Sequence, residues 1–177
     1  MAIEQFNLQD GQRAERKLLI TVAEWQETNG TTTTTVREIL GKRTEDSSIE
    51  YNPDIQTSTD ILGINYTDVN KTQPQQSFDP YLILGGSKLG AYLNDKRKRN
   101  AISELSNFTM YVITAFIGDA VNGYSAEKHT GCSIIYNSIG GDANVNFPID
   151  VYFSNNITSG TVDKLSDDFN FSPDVSI

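Results

Sequence analysis

Residues 107–117, Asn-Phe-Thr-Met-Tyr-Val-Ile-Thr-Ala-Phe-Ile, constrain the fold more than any other part of the chain, because they are apolar or Thr at nearly every position. Phe108, Met110, Val112 and Phe116 fall on one parity, and Tyr111, Ile113 and Ile117 on the other. A strand built from them has no face that suits water. The expectation is a central strand, and a central strand requires neighbours on both edges. Asn122-Gly123 supplies a hairpin turn after it, residues 124–137 the next strand, and Gly140-Gly141-Asp142 another turn. Val145, Phe147, Ile149, Val151 and Phe153 then alternate as a strand with one apolar face. Three adjacent antiparallel strands follow from this pattern.

The remaining segments extend the sheet. In residues 17–25, Leu18, Ile20 and Val22 share one strand face and Leu19, Ala23 and Trp25 the other, which predicts a strand covered on both sides. Asn29-Gly30 followed by five Thr reads either as a hairpin returning through residues 36–40 or as a flexible tip. Between residues 47 and 76, Ile55, Thr57, Thr59 and Ile61 alternate with polar residues as a strand with one wet face would. Leu62, Ile64 and Tyr66 continue on the opposite parity, with Gly63 at the switch, the mark of a β-bulge or a sharp bend. Turn residues flank this segment at Asn52-Pro53-Asp54 and over residues 68–76, so it reads as a long projecting β-loop.

One helix is expected. Asp79-Pro80 carries a helix-start signal, but Gly85-Gly86 interrupts, and Ser87 offers a second cap. Leu89, Tyr92 and Leu93 then share a helical face, and Lys96, Arg97, Lys98 and Arg99 complement the C-terminal dipole, so the helix is placed at about residues 87–99 with a solvated basic end. Residues 1–12, with Ile3, Phe6 and Leu8, read as an arm that docks on the body or on a neighbour. Residues 155–177 read as a tail with a turn at Ser159-Gly160, a short strand at 161–165, and Phe169 and Phe171 available to a partner. With about eight strands and one helix, the 177 residues make a single mainly β domain, an antiparallel β-sandwich or half-barrel with one flanking α-helix and a long projecting β-loop.

The charge balance bears on partners. Fourteen Lys and Arg stand against 23 Asp and Glu, a net charge of −9, which opposes non-specific nucleic-acid binding. The apolar share of 37%, against the usual ~45–50%, suits a sheet protein with much surface facing water or partners. No apolar run approaches the ~20 residues of a membrane helix, and residues 1–12 carry no leader pattern, so the expectation is a soluble product made in the cytoplasm.

Reactive constellations are scarce. His129 and Cys132 are the only His and Cys, and their odd spacing puts them on opposite faces of a regular strand, which predicts a buried Cys and a surface His rather than a nucleophile with its base. One of each cannot make a zinc site, and Asp163, Asp167, Asp168 and Asp174 lack calcium-loop spacing. Gly85-Gly86-Ser87-Lys88 lacks the order of a phosphate-binding loop. No catalytic residue, metal or cofactor is predicted.

Taken in order, the elements resemble the tail tube (major tail) proteins of phages with long non-contractile tails. The features that carry the resemblance are the hairpin over residues 17–40, the excursion over 49–66, the helix after Asp79-Pro80, the strand over 108–117, and the segment 132–153 with Gly140-Gly141-Asp142 before Phe147-Pro148-Ile149-Asp150. The resemblance implies a structural virion protein, without catalytic residues, assembled in the bacterial host cytoplasm. It implies six-membered rings stacked into a tube, with the helix outside and a continuous inner barrel. The lumen would hold a tape-measure protein and later pass DNA without binding it specifically. Phe6, Ile55, Thr57, Thr59, Ile61, Ile64, Tyr66, Phe169 and Phe171 are the expected subunit or ring contacts. Two other readings stand beside this one: a β-sandwich module that binds carbohydrate or another ligand, with Trp25 and the eight Tyr as candidate platforms, and a tube subunit of a contractile tail.

Overall fold

The unbroken apolar run lies at the centre of the sheet in the computed structural model, which describes residues 4–174. The strands are β1 (Leu19–Asn29), β2 (Thr32–Ile39), β3 (Ile49–Glu50), β4 (Asp54–Thr59), β5 (Asn65–Lys71), β6 (Gln75–Phe78), β7 (Phe108–Asp119), β8 (Gly123–Tyr136), β9 (Ile149–Tyr152), β10 (Ile157–Val162) and β11 (Phe171–Pro173). One helix, α1 (Lys88–Arg99), stands between β6 and β7. An antiparallel sheet runs in the order β2-β1-β7-β8-β9-β6-β3, and β10 and β11 branch from β8. The expected mainly β fold with one flanking helix is what the chain adopts. The described residues hold eleven strands where about eight were expected, because the 47–76 segment divides into four and the tail holds two.

β8 changes partners along its length. Residues 124–129 pair with β10, and residues 133–136 pair with β9. Between them Gly131 takes a φ of 79°, and the β7–β8 register slips by one residue there. An extra residue at a positive φ bends a strand and increases its twist, so the sheet curls at this point. Ala23 and Trp25 of β1, Phe108, Met110 and Val112 of β7, Ile134 of β8 and Ile149 and Val151 of β9 meet inside the curl, and Leu89 and Leu93 of α1 close it.

The opposite face of β1 and β7 is covered as well. Val22, Tyr111 and Ile113 pack against Ala126, Val162 and Phe169, with Ile20, Leu165 and Phe171 at the margin. Both parities of β1 and β7 are therefore used, as their sequences require. Arg37 fastens this second layer. Its guanidinium lies 4.4 Å from the Phe169 ring centroid, its Nε donates to Glu24 Oε2 at 2.5 Å, and its Nη1 donates to the Phe169 carbonyl at 2.6 Å.

Local signals place the other elements. β1 and β2 join through Gly30-Thr31 with Asn29 opposite Thr32, and the φ of 62° at Gly30 is what a type II′ turn needs at its first central residue. Thr31 lies in the turn and the other four Thr are strand, not a loose tip. Ser87 caps α1, its Oγ accepting from the Gly90 N–H at 3.1 Å, and Asn100 closes it in the left-handed region at φ 51°. No helix begins at Asp79-Pro80. The tail also differs from expectation, since β10 runs through Ser159-Gly160 without turning. Gly160 is required there, because a Cβ would meet the Ser172 carbonyl at 2.3 Å and the Phe171 ring at 2.7 Å.

Candidate assembly surface

Residues 54–71 form a β-hairpin that belongs to neither apolar cluster. Among the described strands β4 and β5 pair only with each other, as a separate two-stranded sheet, and all their residues are exposed. Ile55 stands opposite Val69, Thr57 opposite Thr67 and Thr59 opposite Asn65 on one face, while Ser58 stands opposite Tyr66 on the other. Ile61 is 102% exposed, Leu62 77% and Val69 62%. An isolated two-stranded hairpin is at best marginally stable in water, and apolar side chains gathered on a projecting element mark a surface used for contact.

The tip has a defined shape. One oxygen of Asp60 accepts from the N–H groups of Leu62 at 2.8 Å and Ile64 at 2.9 Å, and the other accepts from the Tyr66 hydroxyl at 2.9 Å. The Ile64 amide, ahead of the Tyr66 hydroxyl and the Leu62 amide, holds the Asp60 carboxyl below the usual carboxylate range. Gly63, at φ 80°, completes the turn.

The structure brings together six of the nine expected contact residues and Phe6 stands apart from them. Ile55, Thr57, Thr59, Ile61, Ile64 and Tyr66 all lie on this hairpin. The phase change at Gly63 is the hairpin's own bend, and β4 has two wet faces instead of one. Val69 and Leu62 were not among the expected contacts. The alternation of Thr67 with Val69 was the signal for Val69, obscured by reading residues 68–76 as turn when β5 continues to Lys71, and Leu62 shares the parity of Ile64 and Tyr66. Phe6 is 66% exposed and meets Phe116 edge-on at 5.8 Å, while Asn7 N–H donates to the Phe116 carbonyl at 2.8 Å, so the described part of the arm docks on its own body. Ile3 lies outside the described residues. Phe169 is 1% exposed and packs at 4.9 Å on Tyr111 together with Phe171, so these two rings serve their own chain instead of a partner.

His129 is buried, which corrects its expected surface position, and the Gly131 bulge puts it on the same strand face as Cys132. The bulge adds one residue to the count, so an odd spacing no longer reverses the side chain. The two do not act on each other through the ring. His129 Nδ1 lies 3.0 Å from the Ser154 carbonyl and Nε2 3.3 Å from Glu127, while Cys132 Sγ lies 3.5 Å from the His129 carbonyl and accepts from the Ser154 N–H at 3.4 Å. Burial pushes the Cys132 thiol up, away from the thiolate a nucleophile needs.

Lys96 and Glu38 are engaged within the chain. Lys96 is buried, paired with Glu104 and set 4.5 Å over the Tyr92 ring, so the basic helix end is less solvated than expected. The Glu38 carboxylate accepts from the Leu89 N–H at 2.7 Å and Ser87 Oγ at 3.0 Å, occupying the helix N-terminus where a phosphate would sit. Among the described residues no three of His, Cys, Asp and Glu gather so as to hold a metal ion. No described helix is long and apolar enough to cross a membrane. Trp25 is 2% exposed and donates to Glu27 at 2.9 Å, so it presents no sugar platform. A groove of about 1340 Å³ between α1 and the outer half of the β1–β2 hairpin carries charges of both signs, among them Arg37, Lys88, Asp95 and Asp167.

The fold and this surface together define a mainly β domain with one flanking helix and a detached, apolar hairpin. The chain matches no protein-family model and no curated protein.

Proposed function

We propose that this chain is a structural virion protein, the tail tube subunit of a long-tailed phage. Copies join into six-membered rings that stack around a lumen, which holds a tape-measure protein and then passes DNA during ejection. Assembly takes place in the bacterial cytoplasm, and the protein resides in the virion tail. The observation that carries this reading is the β4–β5 hairpin, a preshaped element whose apolar side chains find no cover among the described residues. Chain association supplies that cover. The sheet supports the same reading through β2, an eight-residue edge strand whose outer border has no partner among the described strands. Such a border favours pairing with another chain, and closure around a ring removes it.

A clean deletion tests the proposal. The Tyr51 carbonyl already accepts from the Gln73 N–H at 2.8 Å, and Asn52 already has a positive φ of 42°. Removing residues 53–71 and joining Asn52 to Thr72 therefore leaves a four-residue turn whose hydrogen bond exists beforehand. Under negative-stain electron microscopy the full chain is expected to give rings or tubes, and the deletion variant only folded single copies. Normal tubes from the deletion variant would overturn the proposal.

A further inference from the structure

The body carries a receding surface as distinct as the projecting hairpin. Between the loop after β2 and the turn before α1 lies a depression of about 100 Å³, lined by Gly41, Lys42, Leu82, Leu84, Gly85 and Gly86 among others. Leu82 and Leu84 are half-buried, and Gly85 and Gly86 are exposed. Space stands open beside Gly85 and Gly86, where an added Cβ would meet nothing within 4 Å. Glu38 also lines it, but its carboxylate is consumed by Ser87 and Leu89. Lys42 is exposed and has no ion-pair or hydrogen-bond partner among the described residues. Glu45 and Asp46 follow in the same loop but do not line the depression.

The hairpin has the opposite character. Asp54, Asp60 and Asp68 stand against Lys71 alone, and Asp54 and Asp68 have no ion-pair partner among the described residues. Its tip presents Ile61 and Leu62 on a turn held by three hydrogen bonds to Asp60. We infer that the tip of one copy seats an aliphatic side chain, Ile61 or Leu62, in the Leu82–Leu84 depression of a second copy, with Lys42 facing the acidic hairpin. The depression is small, Leu82 and Leu84 give it an apolar wall and Lys42 a positive charge, and the tip is apolar on an anionic stem. A preshaped tip loses little freedom on docking. Donor and acceptor are different patches of one chain, so the contact is heterologous and propagates from copy to copy. This rests on the assembly proposed above and specifies the surface it uses.

Disulfide trapping tests it. Ile61 is fully exposed, Gly85 has an ordinary φ and open space for a side chain, and the native Cys132 is 0% exposed. Ile61→Cys and Gly85→Cys are prepared separately, mixed and oxidised, and crosslinked dimers on a non-reducing gel are expected only from the mixture. Lys42→Glu is expected to raise the concentration for half-assembly at least tenfold. Lys98→Glu, an equal charge change at an exposed position on the helix end, should leave it unchanged. Assembly without crosslinks, with Lys42→Glu no worse than Lys98→Glu, overturns the docking site and leaves the tube proposal standing. Crosslinked pairs that never give rings or tubes uphold the docking site and remove the tube. Single copies at every concentration remove both. Burial of the tip in phosphatidylcholine vesicles instead of in a second copy also overturns the docking site.

Discussion

Tyr81 and Tyr111 show how residues of the same type come to differ. Burial, more than the nearby Glu38 for one and Glu24 for the other, pushes both phenols up to about 12. A raised pKa in the folded state favours the protonated form, so its stabilising effect is complete below the ordinary value of 10.0 and is lost as pH rises through about 12. Absorbance titration at an ultraviolet tyrosinate band should therefore show two of the eight tyrosines ionising last, with alkaline unfolding, and Tyr111→Phe should remove one of them. The pair Thr21 and Gln76 makes a second prediction. Thr21 Oγ1 donates to Gln76 Oε1 at 2.8 Å inside the core, and Gln76 Nε2 has no hydrogen-bond partner among the described residues. Thr21→Val alone strands the amide and should cost about 1–3 kcal/mol in denaturant unfolding, whereas Thr21→Val with Gln76→Leu should be neutral or stabilising. The sequence displayed all four side chains, but only the packed sheet decided which oxygen and nitrogen lose water.

The hairpin is the element on which the functional reading turns. Its tip depends on one carboxylate, and the low proton affinity of Asp60 sets a direction: the ordered tip is favoured above the ordinary carboxylate range and loosens as pH falls through the lowered value. The amide resonances of Leu62 and Ile64 should titrate together below the usual carboxylate range, and Asp60→Ala should abolish that titration. The alternation of Ile55, Thr57 and Thr59 revealed a strand, and Gly63 revealed a break. Periodicity could not tell that both faces stay uncovered, since an alternating pattern describes the strand and not what lies against it. For β1 and β7 the pattern did suffice, because apolar residues on both parities leave only a doubly covered position. The His129–Cys132 pair fails the same test for a local reason: the bulge at Gly131 shifts the count by one, and a glycine in a strand does not announce whether it bulges.

At the scale of the whole molecule, net charge acts on what can pass through an assembly. With −9 spread over the chain, a tube of such copies is expected to line its lumen with carboxylates, so that a phosphate backbone slides instead of adhering. A cryo-electron microscopy map of the tubes with a neutral or basic lumen would count against this. The open border of β2 and the projecting hairpin lie on different parts of the chain, so in the proposed assembly strand pairing and hairpin docking start from separate elements.

The amino-acid order alone determined the mainly β class, the central strand, the hairpin turns and the single capped helix, because each follows from short-range periodicity and turn chemistry. Tertiary structure decided that Phe169 and Phe171 seal their own chain, that the arm rests on β7, and that residues 54–71 stand free. Those outcomes depend on which faces meet across long sequence separations. An exposed apolar side chain and one covered by a distant segment look the same until the chain has folded.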